Sequence, residues 1–263
     1  MQRRHLAQAA IAASLLASSV CLAASPVIKL GTMSGPHGEI AQKAAEVAKR
    51  MGVTVKVIEF SDYLHVNEAL AAGDLDANAF QHTPYLNKLS AKRGYKFTAL
   101  GKTVIFPLGV YSQKIRDKKD IPAKGLVTIP VDPSNCGRAL QILHQNGIIK
   151  LRDGVGSNGS VIDIVGNPLK LRFREVESAL LARSLPDVAF SVINGSWAVK
   201  SGLVPKRDAF ILEGEDSDFA NVLVVRTAEK DRPEFKILLK AYQSPEVKDY
   251  VLKTYKGSVM PAF

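Results

Sequence analysis

Short apolar runs recur along the chain, and most of them end in polar or aromatic residues. One of them, residues 53–60, alternates Val53, Val55 and Val57 with polar partners, as a half-buried β-strand does. Helical spacing precedes that run over residues 39–51. The runs that we interpret as strands are residues 27–30, 53–60, 127–129, 188–193 and 221–225. Strands that alternate with helices predict an α/β fold, in which ligands bind at the carboxyl ends of the strands.

The first residues have the features of an export signal. Arg3 and Arg4 precede an apolar run that ends in small residues, which is the arrangement of a secretory signal peptide. We therefore predict a signal peptide at residues 1–23 and a mature protein in the periplasm. Cys21 is a candidate for a lipid anchor, although Val20 stands where lipoprotein signals have a small residue.

Composition indicates that the rest of the chain is held together by packing. About 240 residues follow the signal, and none of their apolar runs reaches the roughly 18 residues of a membrane span. Cys136 is their one cysteine, which rules out an intramolecular disulfide. The formal charge of +10 becomes +8 without Arg3 and Arg4, and the basic residues are scattered. That pattern argues against a nucleic-acid partner, and we expect a monomer.

Residues 75–86 concentrate aromatic side chains. The stretch follows a Gly-Asp break and contains Pro84, so we interpret it as a strand end or a loop. Phe80 and His82 are two positions apart and point to the same side of an extended chain, and Tyr85 follows from the next turn. These rings either attach a loop to the core or form one wall of a binding site.

A second polar segment follows the apolar run 127–129. Asn135 can cap a helix over residues 138–146, which places Arg138 in the first turn. A cation there opposes the helix dipole, so we expect Arg138 to meet an anion. Asn135 alone could equally be a helix cap, and Arg138 could be a surface arginine.

Together the strand ends predict a ligand cleft between two α/β lobes. Arg138 offers a planar fork for a carboxylate, and asparagine side chains can bond both an ammonium and a carboxylate. Aromatic rings can hold an apolar or thioether side chain. This chemistry fits a zwitterionic amino acid, although each residue also has a purely structural explanation. The candidate ligand-binding residues are Tyr63, Phe80, His82, Tyr85, Asn135, Arg138, Asn194 and Asn221.

Other kinds of site have weaker support. His37, His65 and His82 could bind a metal, but their spacings match no compact ligand motif. An exported dehydratase-like enzyme needs an acid and a base, for which His82 is the one obvious candidate. The glycines of residues 154–159 match a dinucleotide pattern, but no strand precedes them, and we interpret them as a turn. We therefore expect a binding protein without cofactor, metal or catalytic activity.

Several motifs run in register over nearly the whole mature chain. They are Asp62-Tyr63, Asn67-Glu68-Ala69-Leu70, residues 76–86 with their Phe-Gln-His-Thr-Pro-Tyr core, Gly94-Tyr95, Tyr111-Ser112, residues 132–135 with Gly137-Arg138-Ala139-Leu140, residues 192–194 and Tyr242-Gln243-Ser244. In these motifs the chain resembles the methionine-binding proteins of the NlpA lipoprotein family, which are substrate-binding components of methionine ABC importers.

The resemblance implies a two-lobed periplasmic-binding-protein fold of type II, with the second lobe inserted into the first. We place lobe 1 at residues 24–110 and 225–263, and lobe 2 at residues 111–224. The resemblance also implies that Arg138 takes the ligand carboxylate, that the asparagines surround the ligand backbone and that the aromatic residues line a thioether pocket. The ligand would be L-methionine or a close relative, delivered to an inner-membrane permease and ATPase. Another small amino acid, a dipeptide or a metal is the alternative cargo.

Four departures from the family pattern lie close to the predicted pocket. His65-Val66 replaces a Leu-Pro pair, Val131 replaces Asn, Trp197 replaces Tyr, and Phe219-Ala220 replaces a Tyr-Val pair. They bear on the choice of methionine among amino acids more than on amino-acid binding itself.

Overall fold

The computed structural model describes residues 27–214 and 217–263. The predicted signal peptide and the possible lipid anchor at Cys21 lie outside these residues. The strands are β1 (Val27–Met33), β2 (Thr54–Phe60), β3 (Ala77–His82), β4 (Phe97–Lys102), β5 (Val104–Ile105), β6 (Gly109–Tyr111), β7 (Leu126–Pro130), β8 (Lys150–Leu151), β9 (Ile164–Gly166), β10 (Arg172–Val176), β11 (Phe190–Ile193), β12 (Ala209–Leu212), β13 (Asn221–Arg226) and β14 (Met260–Pro261). The α-helices are α1 (Pro36–Arg50), α2 (Tyr63–Ala72), α3 (Thr83–Arg93), α4 (Pro133–Gln145), α5 (Gly195–Lys200), α6 (Pro205–Asp208), α7 (Pro233–Tyr242) and α8 (Pro245–Tyr255).

Two five-stranded sheets with the same pattern of directions organise the chain. The first has the order β2-β1-β3-β13-β4, in which β1, β2 and β3 are parallel and β13 is antiparallel to both neighbours. The second has the order β10-β7-β11-β6-β12, in which β7, β10 and β11 are parallel and β6 is antiparallel to both neighbours. This is the predicted two-lobed α/β architecture, and the fold class is confirmed.

The chain crosses twice between the sheets. It leaves β5, beside the first sheet, and enters the second sheet at β6, and it returns from β12 to the first sheet at β13. The predicted lobe boundaries fall after residues 110 and 224. In the structure, β6 of the second sheet begins at Gly109, and β13 of the first sheet begins at Asn221. The sheets therefore favour boundaries a few residues earlier in the sequence. We propose that the boundaries lie in the crossovers at residues 106–108 and 213–220.

Each sheet has its own buried core, and a third cluster joins the two. One core packs α1, α7 and α8 against the first sheet, and its largest fully buried ring is Phe235. The other packs α4 against the second sheet, with Phe190 and Leu140 fully buried. The third cluster contains residues of both lobes, among them Phe80 and Trp197. The two lobes therefore touch in this structure.

The ends of the helices place the site. Proline stands in the first turn of α1, α3 and α4, where its missing N–H costs no helical hydrogen bond. These three helices start at strand ends, at the face where the lobes meet. None of the helices within residues 27–214 and 217–263 is both long and apolar enough to cross a membrane.

Candidate functional site

One pocket lies between the lobes at the carboxyl ends of the central strands. The empty space between its lining residues is about 370 Å³, which includes space open to solvent. All eight residues that the sequence analysis selected line it. The lining residues are His37, Tyr63, Phe80, Gln81, His82, Tyr85, Phe106, Asn135, Arg138, Asn194, Gly195, Ser196, Phe219 and Asn221. The structure brings the predicted residues together, and their contact with a ligand stays a prediction.

Three rings of the first lobe form an aromatic wall, which we define as Tyr63, Phe80 and Tyr85. The ring of Tyr63 stacks on Phe80 and meets Tyr85 edge-on, each at 5.8 Å between ring centroids. Phe80 lies on β3, and Tyr85 lies in the first turn of α3. Of the two interpretations of this stretch, the strand end is right, since β3 ends at His82, and the loop is wrong. Pro84 lies in the first turn of α3, where a helix tolerates proline.

His82 connects the two lobes. Its Nε2 lies 3.0 Å from Asn135 Oδ1, and its Nδ1 accepts from the backbone N–H of Tyr85 at 3.2 Å. Since an amide oxygen only accepts, Nε2 carries the proton and Nδ1 does not. Burial, with repulsion from Arg138, lowers the pKa of His82 to about 3. His82 is therefore a neutral donor across the cleft at physiological pH.

Asn135 is occupied on both sides of its amide. Its Nδ2 donates to the two carboxylate oxygens of Asp132 at 3.1 and 3.0 Å, and its Oδ1 accepts from His82. Burial raises the pKa of Asp132. The helix cap is Asp132, which accepts from the backbone N–H of Asn135 at 2.9 Å. The expected cap at Asn135 is therefore wrong, and Arg138 lies one turn deeper in α4 than expected.

Arg138 is buried at the boundary of the lobes, with 4% of its side chain exposed. Its Nε and Nη2 donate to the carboxylate of Glu213, with an Nε–Oε1 distance of 2.9 Å, and Nη2 also donates to the carbonyl of Phe106 at 3.1 Å. Its guanidinium carbon lies 4.3 Å from the centre of the Phe219 ring. The expected anion is thus present within the protein. The fork that we had assigned to a ligand faces Glu213, while Nη1 donates to none of the described residues.

Asn194 and Asn221 stand at two strand ends that face the pocket. Asn194 follows β11 directly and precedes α5, and its Oδ1 is buried with no hydrogen-bond partner within residues 27–214 and 217–263. Asn221 begins β13 opposite His82, and its carbonyl accepts from the backbone N–H of Thr103 at 2.8 Å. A buried acceptor without a partner costs free energy unless a ligand or water supplies a donor.

Six further residues line the pocket that the sequence analysis did not select. They are His37, Gln81, Phe106, Gly195, Ser196 and Phe219. His37 follows the end of β1, packs on Phe106 at 4.2 Å between ring centroids, and has its pKa lowered by burial to about 3. Its position after a strand end was the signal that could have identified it. Phe106 and Phe219 lie in the crossovers, where the sequence shows no regular period.

The three histidines considered as metal ligands do not form one cluster. His37 and His82 are buried in the pocket, whereas His65 lies at the surface with its Nδ1 2.6 Å from Asp62 Oδ2. No group of three or more histidine, cysteine or acidic side chains suited to a metal occurs in the part of the chain that the structure describes.

A wider recess adjoins the pocket and shares Tyr63 and Tyr85 with it. It has a free volume of about 1270 Å³, and Trp197, Lys88 and Glu177 are among its lining residues. Lys88 donates from α3 to the carbonyl of Pro133 on α4 at 3.1 Å. Tyr63 and Tyr85 of the aromatic wall thus line both the inner pocket and this larger recess.

Comparisons with known proteins find relatives that match most of the chain. The sequence profile of the NlpA lipoprotein family matches residues 28–263. The D-methionine-binding lipoprotein MetQ of Escherichia coli K12 is 41% identical over 236 residues, which cover 89% of this chain and 87% of the relative. A solved nutrient binding protein of Burkholderia cenocepacia bound to methionine is 48% identical with a TM-score of 0.88, covering 90% of this chain and 100% of that one. A solved periplasmic substrate-binding protein of an ABC transporter from Coxiella burnetii is 41% identical with a TM-score of 0.86, covering 89% and 100%.

Proposed function

The chain belongs to the NlpA lipoprotein family, as its sequence motifs indicated, and we propose that it captures methionine between its lobes for an ABC importer. The relatives named for methionine binding match it over most of their length. L-methionine is the ligand that we expect, and the names of the curated relatives give D-methionine as a direct alternative. The pocket would hold the ligand backbone near Arg138 and its thioether near the aromatic wall.

The unpartnered acceptor of Asn194 carries this proposal. It is the buried polar atom of the pocket that lacks a donor, and an ammonium group supplies one. Arg138 Nη1, with two N–H donors that the described residues leave unused, suits a carboxylate. A donor pair and an acceptor in one pocket match the two charged groups of a free amino acid.

The aromatic wall supports a soft, apolar side chain. Contacts of a thioether sulfur with aromatic rings contribute about 0.3 to 1.5 kcal/mol each, and burial of a methionine-sized side chain contributes about 1.5 to 3 kcal/mol. With charge-assisted hydrogen bonds at the backbone groups, these terms approach the roughly 8 kcal/mol of a micromolar complex in a preorganised site. Closure of the lobes would supply that preorganisation, because only the closed form makes the contacts of both lobes.

We place the mature protein in the periplasm or anchored at the membrane facing it. The family consists of lipoproteins, and the solved relative from Coxiella burnetii is a periplasmic component of an ABC transporter. The expected partners are the permease and ATPase of an importer, with the protein acting as a monomer.

We further propose that the protein has no catalytic activity. Of the pocket residues, His82 was the candidate base for the dehydratase-like alternative. Both of its ring nitrogens take part in hydrogen bonds within the protein, and its lowered pKa makes it a poor proton acceptor at neutral pH. The geometry thus favours binding over turnover.

Native mass spectrometry of the protein as it co-purifies tests this proposal, followed by titration calorimetry with both enantiomers of methionine. We expect a bound mass of methionine and dissociation constants in the micromolar range or below for at least one enantiomer. Alanine, glutamate and a Gly-Met dipeptide serve as competitors and should bind much more weakly. Tight binding of a metal or of a non-sulfur ligand in preference to both enantiomers would refute the proposal.

A further inference from the structure

Glu213 is a partly buried carboxylate at the point where the two crossovers meet. It follows β12, and 14% of its side chain is exposed. Besides its ion pair with Arg138, its Oε2 accepts from the backbone N–H of Leu108 at 3.0 Å, and its own N–H donates to the carbonyl of Leu108 at 2.9 Å. Leu108 belongs to the first crossover and Glu213 to the second. Glu213 therefore joins the crossovers to each other and to the arginine of the pocket.

The ion pair determines which part of Arg138 a ligand can reach. The carboxylate of Glu213 accepts hydrogen bonds from Nε and Nη2, and the carbonyl of Phe106 accepts a second hydrogen bond from Nη2. The ring of Phe219 covers one face of the guanidinium. These three contacts come from the crossovers and leave Nη1 as the donor group that the described residues do not use. The guanidinium is thus held in one orientation before any ligand arrives.

The ion pair also sets the charge of the pocket. His37 and His82 are neutral, because burial lowers the pKa of each to about 3. Among the lining residues, Arg138 carries the positive charge, and Glu213 directly behind it carries a negative one. Arg138 and Glu213 offset each other's charge, so the pair leaves no excess positive charge to attract an anion. The carboxylate of Asp132, which accepts from Asn135, adds a further negative charge beside the pocket and also disfavours a ligand with a net negative charge. Arg138 without Glu213 would instead favour any small monoanion, because a buried cation stabilises an anion strongly.

We propose that Glu213 is a positioning residue that makes the pocket select zwitterions over carboxylates lacking an ammonium group. It orients Arg138 so that Nη1 alone meets the ligand carboxylate, and its charge cancels the excess attraction for anions. This inference rests on the proposed binding of methionine and adds the reason why simple carboxylic acids are rejected.

The test compares methionine with desamino-methionine, which has the same carbon and sulfur skeleton but no amino group. Calorimetry gives the dissociation constant of each ligand for the full mature chain, and the ratio of the two constants is the readout. Glu213→Gln keeps the shape and the acceptor for Leu108 but removes the charge. In Glu213→Gln we expect the dissociation constant of desamino-methionine, divided by that of methionine, to fall about tenfold. The pocket without this negative charge attracts the anionic desamino-methionine more strongly. For the zwitterion, the stronger attraction of its carboxylate is offset by the weaker attraction of its ammonium group.

Two further variants separate charge from shape. Glu213→Asp keeps the negative charge on a side chain that is shorter by one methylene group. Its affinities for both ligands can fall, but the ratio of the two dissociation constants should stay within about twofold of the wild-type ratio. Glu177→Gln removes one negative charge from the wider recess and should also leave the ratio unchanged. Where Glu213→Gln does not yield folded protein, Glu213→Ala removes the same charge and is expected to shift the ratio in the same direction.

The outcomes distinguish the inference from the proposed function. If the wild-type protein prefers methionine and Glu213→Gln has the same ratio of dissociation constants, the proposed role of Glu213 is overturned, while methionine binding stands. If the wild-type protein binds methionine and desamino-methionine equally well, the proposed role of Glu213 is likewise overturned, while methionine binding stands. A wild type that binds neither would overturn both.

Discussion

The two lobes share one strand order but contribute different chemistry to the pocket. The first lobe supplies the aromatic wall, together with His82 between its rings and the second lobe. The second lobe supplies Arg138 from a helix and Asn194 from a strand end. The same topology therefore presents the aromatic wall on one side and Arg138 and Asn194 on the other, while His82 and Asn221 add polar groups from the first lobe.

This difference suggests a division of recognition. The second lobe and the crossovers would bind the carboxylate and the ammonium group, which all amino acids share. The first lobe would contact the side chain of the ligand. Variants in the second lobe should then weaken all amino-acid ligands alike, whereas variants in the aromatic wall should change the ranking of ligands. Each prediction below tests this division, in order of decreasing effect.

Arg138→Ala is expected to have the largest effect. Loss of the charged donors should cost about 3 kcal/mol of binding free energy, roughly a 150-fold loss of methionine affinity. Leaving Glu213 buried without its partner should also lower the free energy of unfolding by about 3 kcal/mol. Calorimetry and urea unfolding measure the two effects. The matched control is Arg152→Ala, which breaks an ion pair between the exposed Arg152 and Asp163 in the same lobe. This control should bind methionine normally. Normal binding by Arg138→Ala would show that Arg138 does not belong to the site.

Asn194→Ala should weaken binding without weakening the fold. Asn194 Oδ1 has no partner among the described residues, so its removal breaks no hydrogen bond of that atom in the unliganded protein. The loss of an ammonium partner should cost about 2 kcal/mol of binding, or roughly 30-fold, and equally for methionine and norleucine. Thermal unfolding with and without ligand measures both quantities. A lower unfolding temperature with unchanged affinity would mean that Asn194 is structural.

Phe80→Leu tests the aromatic wall. Leucine keeps most of the volume, which matters because only 3% of Phe80 is exposed and alanine would leave a cavity. Loss of the ring contact with sulfur should cost about 1 kcal/mol for methionine and less for norleucine or alanine. Phe97→Leu, which removes a ring that stacks on Tyr95, is the control and should leave the ligand ranking unchanged. Equal losses for all ligands would contradict the assigned role of the wall.

The pH dependence of stability should report the neutral state of His82. Its folded pKa of about 3 lies below the ordinary value of 6.5, so the unfolded chain binds the proton first as the pH falls. Stability is full above the unfolded pKa and declines toward the folded one, by roughly 0.7 kcal/mol for this group between about pH 7 and about pH 6. Urea unfolding should show a smaller decline in His82→Gln. His65→Gln should not, because Asp62 raises the pKa of His65. An unchanged decline in His82→Gln would mean that folding does not lower the pKa of His82.

Much of the architecture could be predicted from the sequence. Alternating strands and helices indicated the α/β class, and all five predicted strand segments overlap strands of the two sheets. The N-cap of α4 was predicted three residues late, at Asn135 instead of Asp132, because Asp and Asn cap helices equally well. Pro133 immediately after Asp132 was the signal for the true start.

The partner of Arg138 could not be predicted in the same way. Glu213 lies 75 positions away in the sequence, in a crossover without helical or strand periodicity. Periodicity reports which face of an element is buried, but it does not report which loop residue meets that face. The need of Arg138 for an anion was therefore evident from the sequence, whereas the identity of that anion required the fold.

A crystal structure of the protein with methionine tests the division of recognition most directly. We predict the ligand carboxylate within hydrogen-bonding distance of Arg138 Nη1, the ammonium at Asn194 Oδ1 and the sulfur among Tyr63, Phe80 and Tyr85. A methionine bound in the reverse direction, with its sulfur beside Arg138 and its charged groups at the aromatic wall, would contradict the account.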